Sequence, residues 1–101
     1  MKKPDFKDIE SNILKLKKIL QINRIKILLI LNKKETCACE LVSFLKLPNN
    51  LISHHLKILS DLEILKSRKI GLHIKYSIKK NKKKQISKLL KCFICYAENN
   101  T

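Results

Sequence analysis

The sequence predicts a mainly α domain with one small β-hairpin, and three observations carry that prediction. Two apolar-periodic stretches within residues 35–62 flank Leu47-Pro48-Asn49-Asn50. Proline disfavours a helical conformation at Leu47, and an asparagine can cap the helix that follows. In that second helix Leu51, Ile52, His55, Leu56, Leu59 and Leu62 recur at helical spacing, leaving Ser53, His54 and Lys57 on the other side. Gly71, the single glycine, then separates residues 64–70 from 72–78, where Ile74, Tyr76 and Ile78 alternate with His73, Lys75 and Ser77. A period of two is that of a half-buried strand. Helix, turn, helix and basic hairpin compose a winged helix-turn-helix, five helices and a wing in all, whose second helix enters the major groove of DNA.

The elements follow in order along a single domain, residues 1–101. Residues 8–32 hold the N-terminal helices. The first spans about residues 5–20, with Phe6, Ile9, Ile13, Leu16, Ile19 and Leu20 on one face. The second spans residues 24–31, is apolar nearly all round, and takes Asn23 as its N-cap. Asn32-Lys33-Lys34 ends it. Residues 35–46 form the first helix of the helix-turn-helix, with Leu41, Phe44 and Leu45 facing inward. Residues 64–78 are the wing. Residues 82–98 return to helix and carry Ile86, Leu89, Leu90, Phe93, Ile94 and Ala97 on one stripe.

Composition agrees with a polyanionic partner. Lysine plus arginine number 23 against 8 acidic residues, a formal charge of +15, and each phosphate that a cation neutralises releases counterions. The charge is also lopsided, because no acidic residue falls between Glu63 and Glu98. Pro4, Asp5, Asp8 and Glu10 interrupt the basic N-terminus before any apolar run, which does not fit a secretory leader. Residues 25–31 fall well short of the roughly 20 apolar residues that a membrane span needs. A cytoplasmic location with the four cysteines reduced is therefore expected. A domain this small cannot cover an amphipathic helix at each end, so the first and last helices are expected to pack on a twofold mate. Such a homodimer sets two recognition helices about one DNA turn apart. No membrane or other protein partner is implied. Nor is an enzyme: one glycine excludes a Gly-rich phosphate loop, and neither a Ser-His-Asp set nor a paired-carboxylate arrangement stands out.

Several motifs then resemble one family. Arg24-Ile25-Lys26-Ile27-Leu28 is similar to an R-L-R-I-L helix, Glu35-Thr36-Cys37-Ala38-Cys39-Glu40-Leu41 to an E-L-C-V-C-D-L box, and Ile52-Ser53-His54-His55-Leu56-Lys57-Ile58-Leu59 to an I-S-x-H-L-x-x-L recognition helix. Ser67-Arg68-Lys69-Ile70-Gly71 and Ile74-Lys75-Tyr76 look like the wing. From about Leu16 to Ile78 the chain resembles the ArsR/SmtB repressors that respond to arsenic and metals. Gln21-Ile22 replaces an Asp-Pro before the first motif. Val42 stands where the arsenic-sensing members have a third cysteine. Glu63 stands where a glycine usually ends the recognition helix, which suggests a different helix end. The resemblance implies a repressor of an arsenic or heavy-metal efflux operon.

The cysteines decide what such a reader would sense. Cys37 and Cys39 are two apart, and on a regular helix such residues point about 200° apart. Both could bind one ion only if the helix were unwound there, which would deform the support of the recognition helix. Trivalent arsenic and antimony favour three thiolates, whereas cadmium, lead and zinc also accept thiolates. Arsenite or antimonite is therefore the expected inducer, with those divalent ions as alternatives and no obligatory cofactor. Cys92 and Cys95 form a C-x-x-C on one side of the last helix, with Cys95 roughly opposite the apolar stripe, and are candidates to replace the thiolate missing at Val42. Asn50, Ser53, His54 and Lys57 are the expected groove contacts; Arg68, Lys69, His73 and Lys75 on the wing are expected on flanking backbone. His55 faces inward and reads as a satisfied structural histidine. Two other readings stay open: a thiol redox switch in the same fold, and a basic nucleic-acid-binding protein whose four cysteines hold structural zinc. With two tyrosines, three phenylalanines and no tryptophan, stacking on single strands is poorly served.

Overall fold

The computed structural model describes residue 3 and residues 5–99, the side chains of residues 95–99 excepted. The elements run α1 (Phe6–Ile19), α2 (Ile22–Lys33), β1 (Thr36–Cys37), α3 (Ala38–Leu45), α4 (Asn49–Asp61), β2 (Leu65–Ile70), β3 (His73–Ile78) and α5 (Lys80–Asn99). The five helices and the wing are those predicted from the sequence. The added element is β1, which makes the wing a three-stranded antiparallel sheet in the order β1-β3-β2.

Asp5 caps α1, its Oδ1 accepting from the Lys7 amide at 3.0 Å. None of the residues of α1 is buried. The expected cap of α2 is corrected: Asn23 lies inside the helix, and Gln21 Oε1 accepts from the amides of Asn23 and Arg24 at 2.9 and 3.1 Å. The longer glutamine side chain reaches back over two orphan donors. Ile27, Leu28 and Leu31 of α2 are buried and centre the core, where Leu41, Ile52, Leu56, Leu59, Ile78 and Leu90 meet them.

The next helix starts later than its sequence predicts. Residues 35–37 are not helical, because Thr36 and Cys37 pair with Tyr76 and Lys75 of β3. Within α3 the inward stripe is Ala38, Leu41, Val42 and Leu45, spaced i, i+3, i+4, i+7. Phe44 falls beside that stripe and is 58% exposed, contrary to expectation. Lys46 turns the chain with φ 54°.

Pro48, and not an asparagine, occupies the N-cap of α4 and offers no side-chain bond; its carbonyl accepts from the amides of Leu51 and Ile52. Ile52, His55, Leu56 and Leu59 are buried. Glu63 takes φ 61°, and the Ile64 amide reaches the Leu59 carbonyl at 3.1 Å while the Glu63 amide reaches Ser60 at 2.9 Å. These two bonds make a Schellman end. The missing glycine thus does not change the helix end; glutamate adopts the left-handed geometry.

In the wing Leu65 pairs with Ile78 and Ile70 with His73 around Gly71-Leu72. Gly71 has φ +59°, and nothing lies within 4 Å of a Cβ placed there, so conformation and not space calls for glycine. Burial along β3 fades from Ile78 (4% exposed) to Ile74 (48% exposed), so the hairpin leaves the body of the domain. Helix α5 returns to α2 through buried Ile86 and Leu90. Ser87 Oγ donates to Asn32 Oδ1 there at 3.0 Å. Ala97 lies outside the described side chains. Among the described residues no helix is long and apolar enough to cross a membrane.

Candidate metal centre and nucleic-acid face

Cys37 ends β1 with extended dihedrals, φ −88° and ψ 161°, and serves as the N-cap position of α3. Cys39 is in the first turn of that helix. Because Cys37 lies in extended backbone, the divergence of an i, i+2 helical pair does not apply. The sulfurs of Cys37 and Cys39 and a ring nitrogen of His73 all lie within 4.8 Å of one another. The thiols therefore converge without any unwinding of α3, which corrects the expectation drawn from spacing. His73, expected on the DNA backbone, joins them for a reason of register. Cys37 pairs with Lys75, and His73 is two residues along β3, on the same face of the sheet.

Cys37 is buried while Cys39 and His73 are exposed, so the cluster opens to solvent on one side. Its depression, about 320 Å³, is also lined by Asn49, Leu72, Ile74 and Tyr76, and so touches both the start of α4 and the wing tip. Cys37 Sγ donates to Glu40 Oε1 at 3.3 Å. The hydrogen bond shared with the Cys39 sulfur, and then burial, push the Cys37 thiol up from its ordinary range. The same Cys37 contact, aided by Lys75 and Lys34, holds the Glu40 carboxyl below its usual value. Lys75 Nζ stands 4.0 Å from Glu40 Oε1. A thiol pair with an adjacent imidazole is a soft, borderline donor set that a thiophilic metal ion accepts once the thiols lose their protons.

Cys92 is exposed on α5 and belongs to no such cluster among the described residues of one chain. The Cys95 side chain lies outside the described residues.

The other surface lies on α4 and the wing. Asn50, Ser53, His54 and Lys57 are exposed on α4, opposite its buried face, as their spacing predicts. Lys69 is exposed on β2. Arg68 is held in a bidentate pair by Glu35, Nε to Oε2 at 2.8 Å and Nη2 to Oε1 at 2.7 Å. That contact lowers the Glu35 carboxyl's pKa and raises the guanidinium's. Glu35 and Glu40 thus face Arg68 and Lys75 and tie the wing to the segment ahead of α3. His55 is buried, and its Nδ1 accepts from Arg24 Nε at 3.1 Å. Its Nε2 has no hydrogen-bond partner, so the histidine expected to be satisfied is satisfied at one nitrogen only. His73 is the donor that sequence reasoning missed. The signal for it was the alternation of β3, but the pairing of β3 with residues 36–37 is nonlocal.

Known proteins share this fold. The family model described as "Bacterial regulatory protein, arsR family" matches residues 23–67. A transcriptional repressor SmtB homologue of Synechocystis is 30% identical over 58% of this chain and 45% of its own length. An HTH-type transcriptional regulator of Methanocaldococcus jannaschii is 43% identical over 54% of this chain and 61% of its own. The chain thus spans about half the length of the curated relatives it matches. The crystal structure of the transcriptional repressor PagR of Bacillus anthracis is 33% identical, with TM-score 0.69 over 85% of this chain and 99% of that one. On the sequence match, the superposed fold and the helix-turn-helix with its wing, the chain belongs to the ArsR family of bacterial regulatory proteins.

Proposed function

We propose that the protein is a homodimeric transcriptional repressor that leaves its operator when a thiophilic metal ion or metalloid binds at Cys37 and Cys39. Two copies would join through the apolar faces of α1 and α5. Ile9, Ile13 and Leu16 are left open there on α1, as are Phe93 and Ile94 on α5. Asn50, Ser53, His54 and Lys57 of each copy would then meet base edges and phosphates in successive major grooves. Lys69 and Lys75 on each wing would sit over flanking phosphate, joined by Arg68 where it leaves Glu35. The formal charge of +15 supports the phosphate contacts. PagR and the Synechocystis SmtB homologue are named as transcriptional repressors, and the same role is assigned here.

The observation that carries the sensing half is the convergence of the Cys37 and Cys39 sulfurs where the wing sheet meets α3. That helix packs on α4, so a change at its first turn is transmitted to the groove-reading face. Release requires the ion to bind the free protein more tightly than the DNA complex, by about 1–3 kcal/mol in a typical coupled system. Arsenite and antimonite, expected from sequence, remain candidate inducers alongside cadmium, lead and zinc.

The test is fluorescence anisotropy on a labelled operator fragment, with each ion titrated into the preformed complex under reducing conditions. Release by at least one thiophilic ion, with Cys37→Ser binding DNA within threefold of wild type yet losing the response, is the expected result. Release by peroxide alone would replace metal sensing with a thiol redox switch. Tightly held zinc whose chelation unfolds the protein would make the site structural.

A further inference from the structure

We infer that His73, on the wing, is the third protein ligand of the metal centre, so that an ion bound to Cys37 and Cys39 clamps the wing to the start of α3. This inference rests on the Cys37–Cys39 reading above and deepens it by naming the full donor set and the ion class it suits. The His73 nitrogen is as close to the two sulfurs as the 4.8 Å limit that all three atoms share. In a tetrahedral zinc site sulfur and nitrogen donors stand about 3.3–3.8 Å apart. The three therefore need a contraction on the order of 1 Å at the longest pair to hold one ion.

Backbone pairing supplies the precision. Cys37 is locked opposite Lys75 of β3, and His73 begins the same strand. Neither sulfur nor imidazole depends on a loose loop for its position. Exposure of Cys39 and His73 leaves the remaining coordination position to solvent. The proton that Cys37 Sγ gives to Glu40 in the metal-free protein is the one that must leave when the sulfur ligates.

Two consequences follow from the chemistry of this set. Two thiolates and an imidazole suit a borderline divalent ion such as zinc, cobalt or cadmium, whereas a trivalent metalloid takes three thiolates. A His73 ring that ligates an ion through one nitrogen keeps only its other N–H for a phosphate, and the wing tip beside Leu72 is drawn onto the depression that Asn49 of α4 shares.

The experiment is anaerobic titration of cobalt(II) into the full-length, reduced protein, followed by visible absorption and X-ray absorption at the cobalt edge. Wild type is expected to give thiolate-to-cobalt charge-transfer bands and tetrahedral d–d bands, with nitrogen in the first shell. His73→Ala should weaken cobalt at least tenfold and remove the nitrogen signal; Ser60→Ala, exposed near the far end of α4, should match wild type. His73→Cys should strengthen arsenite binding at least tenfold by supplying a third thiolate. Loss of binding in Cys37→Ser with no change in His73→Ala would overturn the imidazole ligand and leave the thiolate site standing. Wild-type cobalt binding in Cys37→Ser would overturn both readings.

Discussion

His55 is held by one nitrogen. Its Nδ1 accepts from Arg24 Nε, which fixes the remaining ring proton on Nε2, a buried donor without a partner. A second proton would have to sit on Nδ1, where Arg24 already donates. Burial first, and then the Arg24 charge, push the His55 pKa below its ordinary value of 6.5. Between the unfolded and folded values the unfolded chain takes up a proton that the folded protein refuses. Stability from this group is therefore whole above the unfolded value and is lost as pH falls through the folded one. Thermal melting followed by circular dichroism should show Tm decreasing from about pH 7.5 to about pH 5. His55→Gln, which keeps an acceptor for Arg24 and cannot titrate in that window, should flatten the slope. An equal slope in both proteins would show that the titration lies elsewhere.

At the scale of elements, two helices of the DNA-reading half end in left-handed residues that are not glycine: Lys46 after α3 and Glu63 after α4. A residue with a Cβ pays about 1–2 kcal/mol for that conformation, which glycine escapes at some cost in unfolded-state entropy. At Glu63 both hydrogen bonds of the Schellman end are made, and Ile64 beyond it is buried in the core. Glu63→Gly should accordingly stabilise the domain by about 0.5–1 kcal/mol, read as a higher urea midpoint with unchanged slope. A lower midpoint would mean that the glutamate side chain contributes more than its backbone costs. The wing shows the opposite design. Its only left-handed position is filled by glycine, and two of its cations, Arg68 and Lys75, are turned toward Glu35 and Glu40.

At the scale of the whole molecule, α1 is the element that the single chain does not accommodate. It has no buried residue, and Phe6 is 71%, Ile13 50% and Leu14 60% exposed. The radius of gyration is 15.1 Å, against about 13 Å for a compact domain of 100 residues. Leu20, Ile22, Ile25 and Phe93 line a further apolar depression where α2 meets α5. In sedimentation equilibrium the protein should be dimeric at micromolar concentration. Ile13→Glu should raise the dimer dissociation constant at least tenfold, about 1.4 kcal/mol, and weaken operator binding with it. A wild-type protein that stays monomeric at tens of micromolar would overturn the dimer.

Local pattern determined much of this protein. The 3.6-residue stripes of α4 and α5, the nearly continuous apolar run of α2, the proline between α3 and α4, and the glycine at the wing tip specify helix-turn-helix and hairpin, because each depends on residues a few positions apart. The outward face of α4 was legible for the same reason. Helix caps were less so: Gln21 and Pro48 took places that asparagines suit equally well. Only tertiary structure decided the rest. Whether residues 36–37 continue α3 or join a sheet depends on β3, which lies far along the chain. That one nonlocal pairing turns Cys37 out of a helix, brings Cys39 beside it, and sets His73 within reach of both. The donor set belongs to a strand pairing, and no periodicity within either segment encodes it.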